Sequence, residues 1–199
     1  VHTDWSDGMA GIEEMVARAK AKGYQYLAIT DHSRSLRVAN GLTVEKLQEQ
    51  HALIRELNKQ QDDFLILTGV EVDILPQGGL DFPDEILKDI DVVIASIHSS
   101  FKQDKDTMTK RLLSAIENKN VDIIGHPTGR LVNKREGIAL DFDRVLEAAA
   151  VYGTILEINA SPNRLDLSDV DARLAKTKGV KVAINSDAHD LKRLDEMIY

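Results

Sequence analysis

A chain of 199 residues has room for one well-buried domain, and two would be cramped. With no cysteine, disulfide frameworks and thiolate metal sites are excluded, so any metal must be held by His, Asp and Glu. The formal net charge of −8 argues against non-specific DNA binding through a basic face. It leaves a nucleic-acid substrate open, because a carboxylate cluster built for cations is acidic by construction.

Taken in order, the chain alternates amphipathic segments with short apolar runs. After the opening VHTDWSDG, the residues Ile12, Met15, Val16 and Ala19 keep helical spacing, and Gly23 offers a stop. The first apolar run, residues 26–29, ends in Thr30-Asp31-His32. A longer helix is marked by Val44, Leu47, Ile54 and Leu57. The run 64–72 contains Gly69-Val70-Glu71, and the run 92–97 leads into His98. Met108, Leu112 and Ile116 mark the next helix, and the run 121–124 is followed by Gly125-His126.

Asp141 can cap a helix carrying Val145, Leu146 and Ala149, closed by Gly153. The run 154–158 ends at Asn159. Ser168 with Asp171 reads as a capping pair before Leu174, with Gly179 as the stop. The run 180–184 leads into Ser186-Asp187-Ala188-His189, and a last helix is expected from Leu191 to the end. No apolar run reaches membrane-spanning length and no signal-peptide pattern is present, so no membrane is expected. The lack of cysteine fits a reducing, cytoplasmic setting.

The runs are continuous rather than alternating, as in strands buried on both faces of a parallel sheet. Almost every run ends in an imidazole or a charged residue. Side chains from many strand ends converge on one point only if the strands encircle it, which favours a βα barrel over an open sheet.

Five of the six histidines, His2, His32, His98, His126 and His189, fall at strand ends or in loops, and Glu71 and Asp187 occupy equivalent places. A single strand-end histidine is usually a hydrogen-bonded structural residue. Five of them with two matching acids are hard to explain by packing. Imidazole and carboxylate ligands suit Mn, Zn or Fe, and sites sharing a carboxylate can hold cations about 3.5–4 Å apart. His51 lies on the apolar stripe of its helix and is set aside as a satisfied core-edge histidine. Asp31 either orients His32 or terminates a strand. Arg34, Arg37, Arg130, Lys134 and Arg135 lie in loops after ligand-bearing strands, where phosphate contacts are expected, although any one of them also reads as a solvated charge. Asn159 is a substrate contact or a loop-backbone partner, and Trp5 stacks on a base or packs.

The ordered series HTDWSDG, AITDHS, GVEVDI, ASIHSS, GHP and NSDAH resembles the polymerase-and-histidinol-phosphatase (PHP) superfamily over essentially the whole chain, 1–199. Residues 33–42, Leu140-Asp141-Phe142 and EINASPNRLDL resemble the C-terminal PHP domain of bacterial X-family DNA polymerases. The resemblance implies an α/β fold, a distorted TIM-like (βα)7 barrel with its metal site at the C-terminal ends of the strands. It implies up to three divalent cations (Mn, Zn or Fe). His2, Glu71 and Asp187 would hold one. Glu71, His98 and His126 would hold the second, and Asp7, His32 and His189 the third. Glu71, His98, His126 and Asp187 are then the catalytic candidates, with Arg34, Arg37, Arg130 and Asn159 as substrate contacts.

The family's opening His-x-His is represented here by its second His alone, so the chain reads as a PHP domain trimmed at both ends, with a covalently linked polymerase domain upstream. The expected activity is Mn-dependent 3′–5′ exonuclease action in DNA 3′-end repair. The alternatives are a histidinol-phosphate-type phosphatase and a non-catalytic, metal-stabilised module on a polymerase.

Overall fold

A computed structural model describes residues 1–199. Six parallel strands follow one another in sequence order: β1 (Tyr26–Ile29), β2 (Leu65–Asp73), β3 (Val92–Ser96), β4 (Ile123–Ile124), β5 (Ile155–Asn159) and β6 (Val182–Asn185). Helices alternate with them: α1 (Ile12–Ala21), α2 (Val44–Lys59), the short α3 (Asp84–Leu87), α4 (Lys105–Ile116), α5 (Phe142–Tyr152) and α6 (Asp169–Thr177). No helix is long and apolar enough to cross a membrane.

Capping follows the expected chemistry. Thr43, Asp104, Asp141 and Ser168 each accept a backbone N–H of the helix they open. Gly153 closes α5 at φ +78. The last segment departs from expectation. Arg193–Ile198 is a 3-10 turn with i→i−3 bonds such as Asp195 N to Lys192 O, because the Asp190 carboxylate accepts both Lys192 N and Arg193 N and winds the chain tightly.

Each strand pairs only with its sequence neighbours, from Tyr26↔Leu65 at one end to Asn159↔Asn185 at the other, and the sheet curls into a half-barrel. Six strands are present where seven are expected. In the seventh place, Val1 N donates to Ala28 O and Thr30 N to Val1 O, while His2 N donates to Ala188 O. These two residues join the β1 and β6 edges without forming a strand.

Alternation along the strands sorts side chains between two surfaces. Val70, Val72, Val93, Ala95, Ile124 and Leu156 face the helices and pack with Met108, Leu112, Val145 and Leu146 in the larger core. A second core joins α1, Ile54 of α2, Leu27 and Ile29. The inner face carries Glu71, Ile94, Ile123, Glu157 and Asn185 around a cavity of about 300 Å³. The site therefore forms on the concave side.

Arg111 locks two of the loops that reach it. Only 2% exposed, its guanidinium donates to Ile74 O (2.6 Å), Leu75 O (3.0 Å), Ser99 O and Gln103 Oε1 (2.7 Å), tying the segments that follow β2 and β3. Arg111→Ala strands these carbonyls and removes buried packing. Urea unfolding is expected to show a loss of about 3 kcal/mol.

Candidate metal centre

The opening segment is shaped by a buried carboxylate. Asp31 accepts from Thr3 N (2.8 Å), Thr3 Oγ1 (2.7 Å), Gln50 Nε2 (2.7 Å) and Ser6 Oγ. It thus pins the Thr3–Ser6 turn that carries His2 and Asp7, rather than orienting His32. Gly8 closes this turn: a Cβ there would lie 2.5 Å from His2 O, which accounts for the glycine in HTDWSDG.

The strands then deliver their end residues to one place. His32 follows β1 and Glu71 lies within β2. His98 and His126 each lie two residues past β3 and β4, and Asp187 and His189 follow β6. Glu71 is the hub. Its Oε2 lies 3.2 Å from His2 Nε2 and 3.4 Å from His32 Nδ1, and its Oε1 lies 3.3 Å from His98 Nε2 and 3.1 Å from His126 Nε2. Asp187 Oδ1 is 3.0 Å from His2 Nε2. Asp7 Oδ1 approaches His32 Nε2 at 3.7 Å and His189 Nε2 at 3.5 Å.

His126 and Asp187 hold φ of +29 and +49, the left-handed region that non-glycine residues occupy at a cost of about 1–2 kcal/mol each. Gly125 precedes the first of these because a Cβ would meet Ser96 Oγ at 2.4 Å.

Three groups bring their ligand atoms within 4.8 Å of one another: His2, Glu71 and Asp187; His32, Glu71 and His98; and His2, Asp7, His32 and His189. The first matches the set implied by resemblance. In the second, His32 stands where His126 was expected, although His126 still contacts Glu71. The third gains His2.

The donor set fits divalent cations. The His2 ring stacks on those of His32 and His189 at 4.3 and 4.2 Å, and His98 stands 5.1 Å from both His32 and His126. Rings so close cannot all carry protons. Burial pulls His2 down, but hydrogen bonds to Asp187 and Glu71 outweigh it and push it up to about 10. Burial likewise opposes His98, yet Glu71 and Asp73 push it up to about 9. Burial, then the charge on His2, pushes His32 down to about 4. Glu71 resists burial and stays well below the carboxylate range because of the surrounding imidazoles. Buried nitrogens His2 Nδ1, His32 Nδ1 and His126 Nδ1 have no hydrogen-bond partner. Cations held by neutral imidazoles and carboxylates resolve this crowding.

Cation binding is therefore linked to pH. At neutral pH His2 and His98 hold protons, since their values of about 10 and about 9 lie above it. A cation must displace both, so affinity rises with pH up to that range and falls toward acid. Calorimetric titration at pH 7 in buffers of different ionisation enthalpy is expected to show about two protons released on loading. No buffer dependence would contradict the linkage.

Supporting residues surround the cluster. Asp73 Oδ1 accepts from His98 Nδ1 at 2.5 Å and is itself held by Ser35 Oγ, so Nε2 of His98 faces inward. Asn159 is fully buried and donates to Asp187 Oδ2 at 2.9 Å. Burial pushes Glu157 up to about 7. His51 lies in the core with Nε2 on Gly69 O, and burial lowers it. Trp5 packs against both cores, 5.9 Å from Lys46 Nζ.

The arginines fall into two groups. Arg130 donates to Arg164 O and Leu165 O, and Arg135 lies over Phe101 at 4.0 Å while donating to Gly129 O, so both brace their loop. Arg34 pairs with Asp81, and Arg37 is exposed. The guanidiniums beside the cluster are two that sequence reasoning missed. Arg164 Nε lies 3.7 Å from Asp187 Oδ2, and Arg193 Nη1 lies 3.3 Å from His189 Nδ1, with Nη2 on Ser161 Oγ.

Residues 1–161 match a family described as the PHP domain. The chain is 51% identical over 197 residues to the DNA polymerase/3′-5′ exonuclease PolX of Bacillus subtilis, covering 99% of this chain and 35% of that relative. It thus spans about a third of that protein's length. It is also 36% identical over 200 residues to a probable phosphatase of Caldanaerobacter subterraneus, covering 94% of this chain and 74% of the other. The hisK protein of Listeria monocytogenes superposes with a TM-score of 0.72 at 17% identity, covering 97% and 95% of the two chains. A histidinol phosphate phosphatase of Lactococcus lactis, complexed with zinc, L-histidinol and phosphate, gives 0.62 at 20% identity, covering 99% and 90%.

Proposed function

Since this chain belongs to the PHP domain family, we propose that it is a metal-dependent phosphoesterase acting on DNA 3′ ends as a Mn-dependent 3′–5′ exonuclease. The observation that carries the reading is the convergence of His2, Asp7, His32, Glu71, His98, His126, Asp187 and His189 around one concave site. The identity of 51% to a relative named for 3′–5′ exonuclease action, against 36% to a probable phosphatase, favours DNA over a small molecule. A linked polymerase domain and a cytoplasmic setting belong to the same proposal.

Up to three divalent cations belong to the same proposal. His2, Glu71 and Asp187 would hold the first, Glu71, His98 and His126 the second, and Asp7, His32 and His189 the third, with each imidazole serving one cation. Such cations supply Lewis acidity, making water a nucleophile near neutral pH and neutralising phosphoryl oxygens. The chain's own groups set the geometry. Glu71 fixes the spacing of four imidazoles, and Asp73 holds His98 with Nε2 turned inward. Arg164 and Arg193 set charged donors beside Asp187 and His189, which suits an anionic substrate.

A histidinol-phosphate-type phosphatase is the second reading, favoured by the likeness of fold to the Lactococcus lactis enzyme. Incubation with Mn²⁺, a 5′-labelled primer and histidinol phosphate in parallel separates the two. Laddering from the 3′ end that vanishes in Asp187→Asn is expected. Phosphate release from histidinol phosphate with an intact primer would establish the phosphatase instead. Cation binding with neither reaction would leave a metal-stabilised module.

A further inference from the structure

Five of the six strands deliver candidate ligands, and β5 delivers none. Its inward residues Glu157 and Asn159 are nevertheless 3% and 0% exposed. They lie between the two ligands with left-handed backbone, since β5 pairs with β4 through Leu156↔Ile124 and with β6 through Asn159↔Asn185. His126 and Asp187 each stand two residues past a strand end, where the ladder no longer fixes the backbone. Something else must hold them at φ +29 and +49.

The hydrogen bonds show what does. Glu157 Oε2 accepts the backbone N–H of His126 at 2.6 Å, and Oε1 accepts Asn185 Nδ2 at 2.8 Å. Asn159 Nδ2 donates to Asp187 Oδ2 at 2.9 Å and to Glu157 Oε2 at 3.4 Å, while its Oδ1 accepts Ser161 N at 3.1 Å. One amide thus stands between a buried carboxylate, Glu157, and a half-buried one, Asp187, as a donor to both. We propose that Glu157 and Asn159 are positioning residues, a hydrogen-bonded strut beneath the cluster that fixes His126 relative to Asp187 for cation binding.

The inference rests on reading the cluster as a cation site, and its test reads binding rather than hydrolysis. Mn²⁺ binding to the purified chain is followed by electron paramagnetic resonance, alongside thermal unfolding of the metal-free proteins. Asn159→Ala and Glu157→Ala are expected to weaken Mn²⁺ binding about 10–100-fold, the usual consequence of losing a partner that orients a ligand. Glu157→Gln keeps an oxygen for the His126 N–H and is expected to stay within a few-fold of the unaltered chain. Should the alanine variants not fold, Asn159→Ser tests the same bond, because its side chain is too short to reach Asp187. Unaltered Mn²⁺ affinity in the folded variants, whatever their loss of stability, would overturn the proposal. Failure of the unaltered chain to bind any cation would instead overturn the reading of the cluster.

Discussion

Glu71→Gln is expected to lower phosphoester hydrolysis about 10²–10³-fold while leaving the fold intact. The carboxylate lies within 3.4 Å of His2, His32, His98 and His126, more candidate ligands than any other group touches. Gln keeps the shape and removes the charge that two cations would share. Charge stabilisation by a metal site is worth several kcal/mol, and each 1.36 kcal/mol is a factor of ten in rate. The loss should appear in kcat together with reduced cation content by elemental analysis. Glu85→Gln, on the exposed face of α3, is the matched control and should change neither. Full turnover in Glu71→Gln would remove the hub from the mechanism.

The second large effect is on stability. Without cations, the cluster packs stacked imidazoles against the buried Glu71 and the half-buried Asp187, with three ring nitrogens lacking a hydrogen bond. Ligands bound only by the folded chain stabilise it by mass action, about 2.7 kcal/mol at one hundred times the dissociation constant. For a domain of this size that raises Tm by about 5–11 °C. Calorimetry with Mn²⁺ should show the rise, and excess chelator should reverse it. Mg²⁺, which favours oxygen ligands and keeps its waters, should raise Tm less. A Tm unchanged by every divalent cation would mean that the cluster is held by protons alone.

Much of this site was legible because its ligands announce themselves locally. A strand-end histidine or acid follows an apolar run, so AITDHS, ASIHSS and GHP each place one residue, and NSDAH two, without knowledge of the rest. The parallel order and the concave placement followed from the same runs. Less legible were groups whose partners are far away in sequence. Asp73 and His98 are separated by 25 residues and Glu157 and His126 by 31, and no spacing connects them. Asp73 had a signal, since it lies two residues after Glu71 on the same face of β2. Arg164 lay within the EINASPNRLDL stretch without standing out in it, and Arg193 had no signal, as loop arginines look alike until the loop is folded. Arg130 shows the converse: its position after a ligand-bearing strand suggested phosphate, and its guanidinium went to backbone carbonyls instead. Asp31 stood beside His32 in sequence, and its lone pairs went to the opening turn.

The cluster is expected to hydrolyse phosphoesters through bound cations. The most direct measurement strips the purified chain with a chelator, confirms the metal content by elemental analysis, and follows hydrolysis of bis(4-nitrophenyl) phosphate as Mn²⁺, Zn²⁺ or Fe²⁺ is returned. Turnover should be absent in the stripped protein and return with added cation, levelling off by about three equivalents, one for each ligand group. Undiminished turnover in the stripped chain, or none in the fully loaded one, would contradict it.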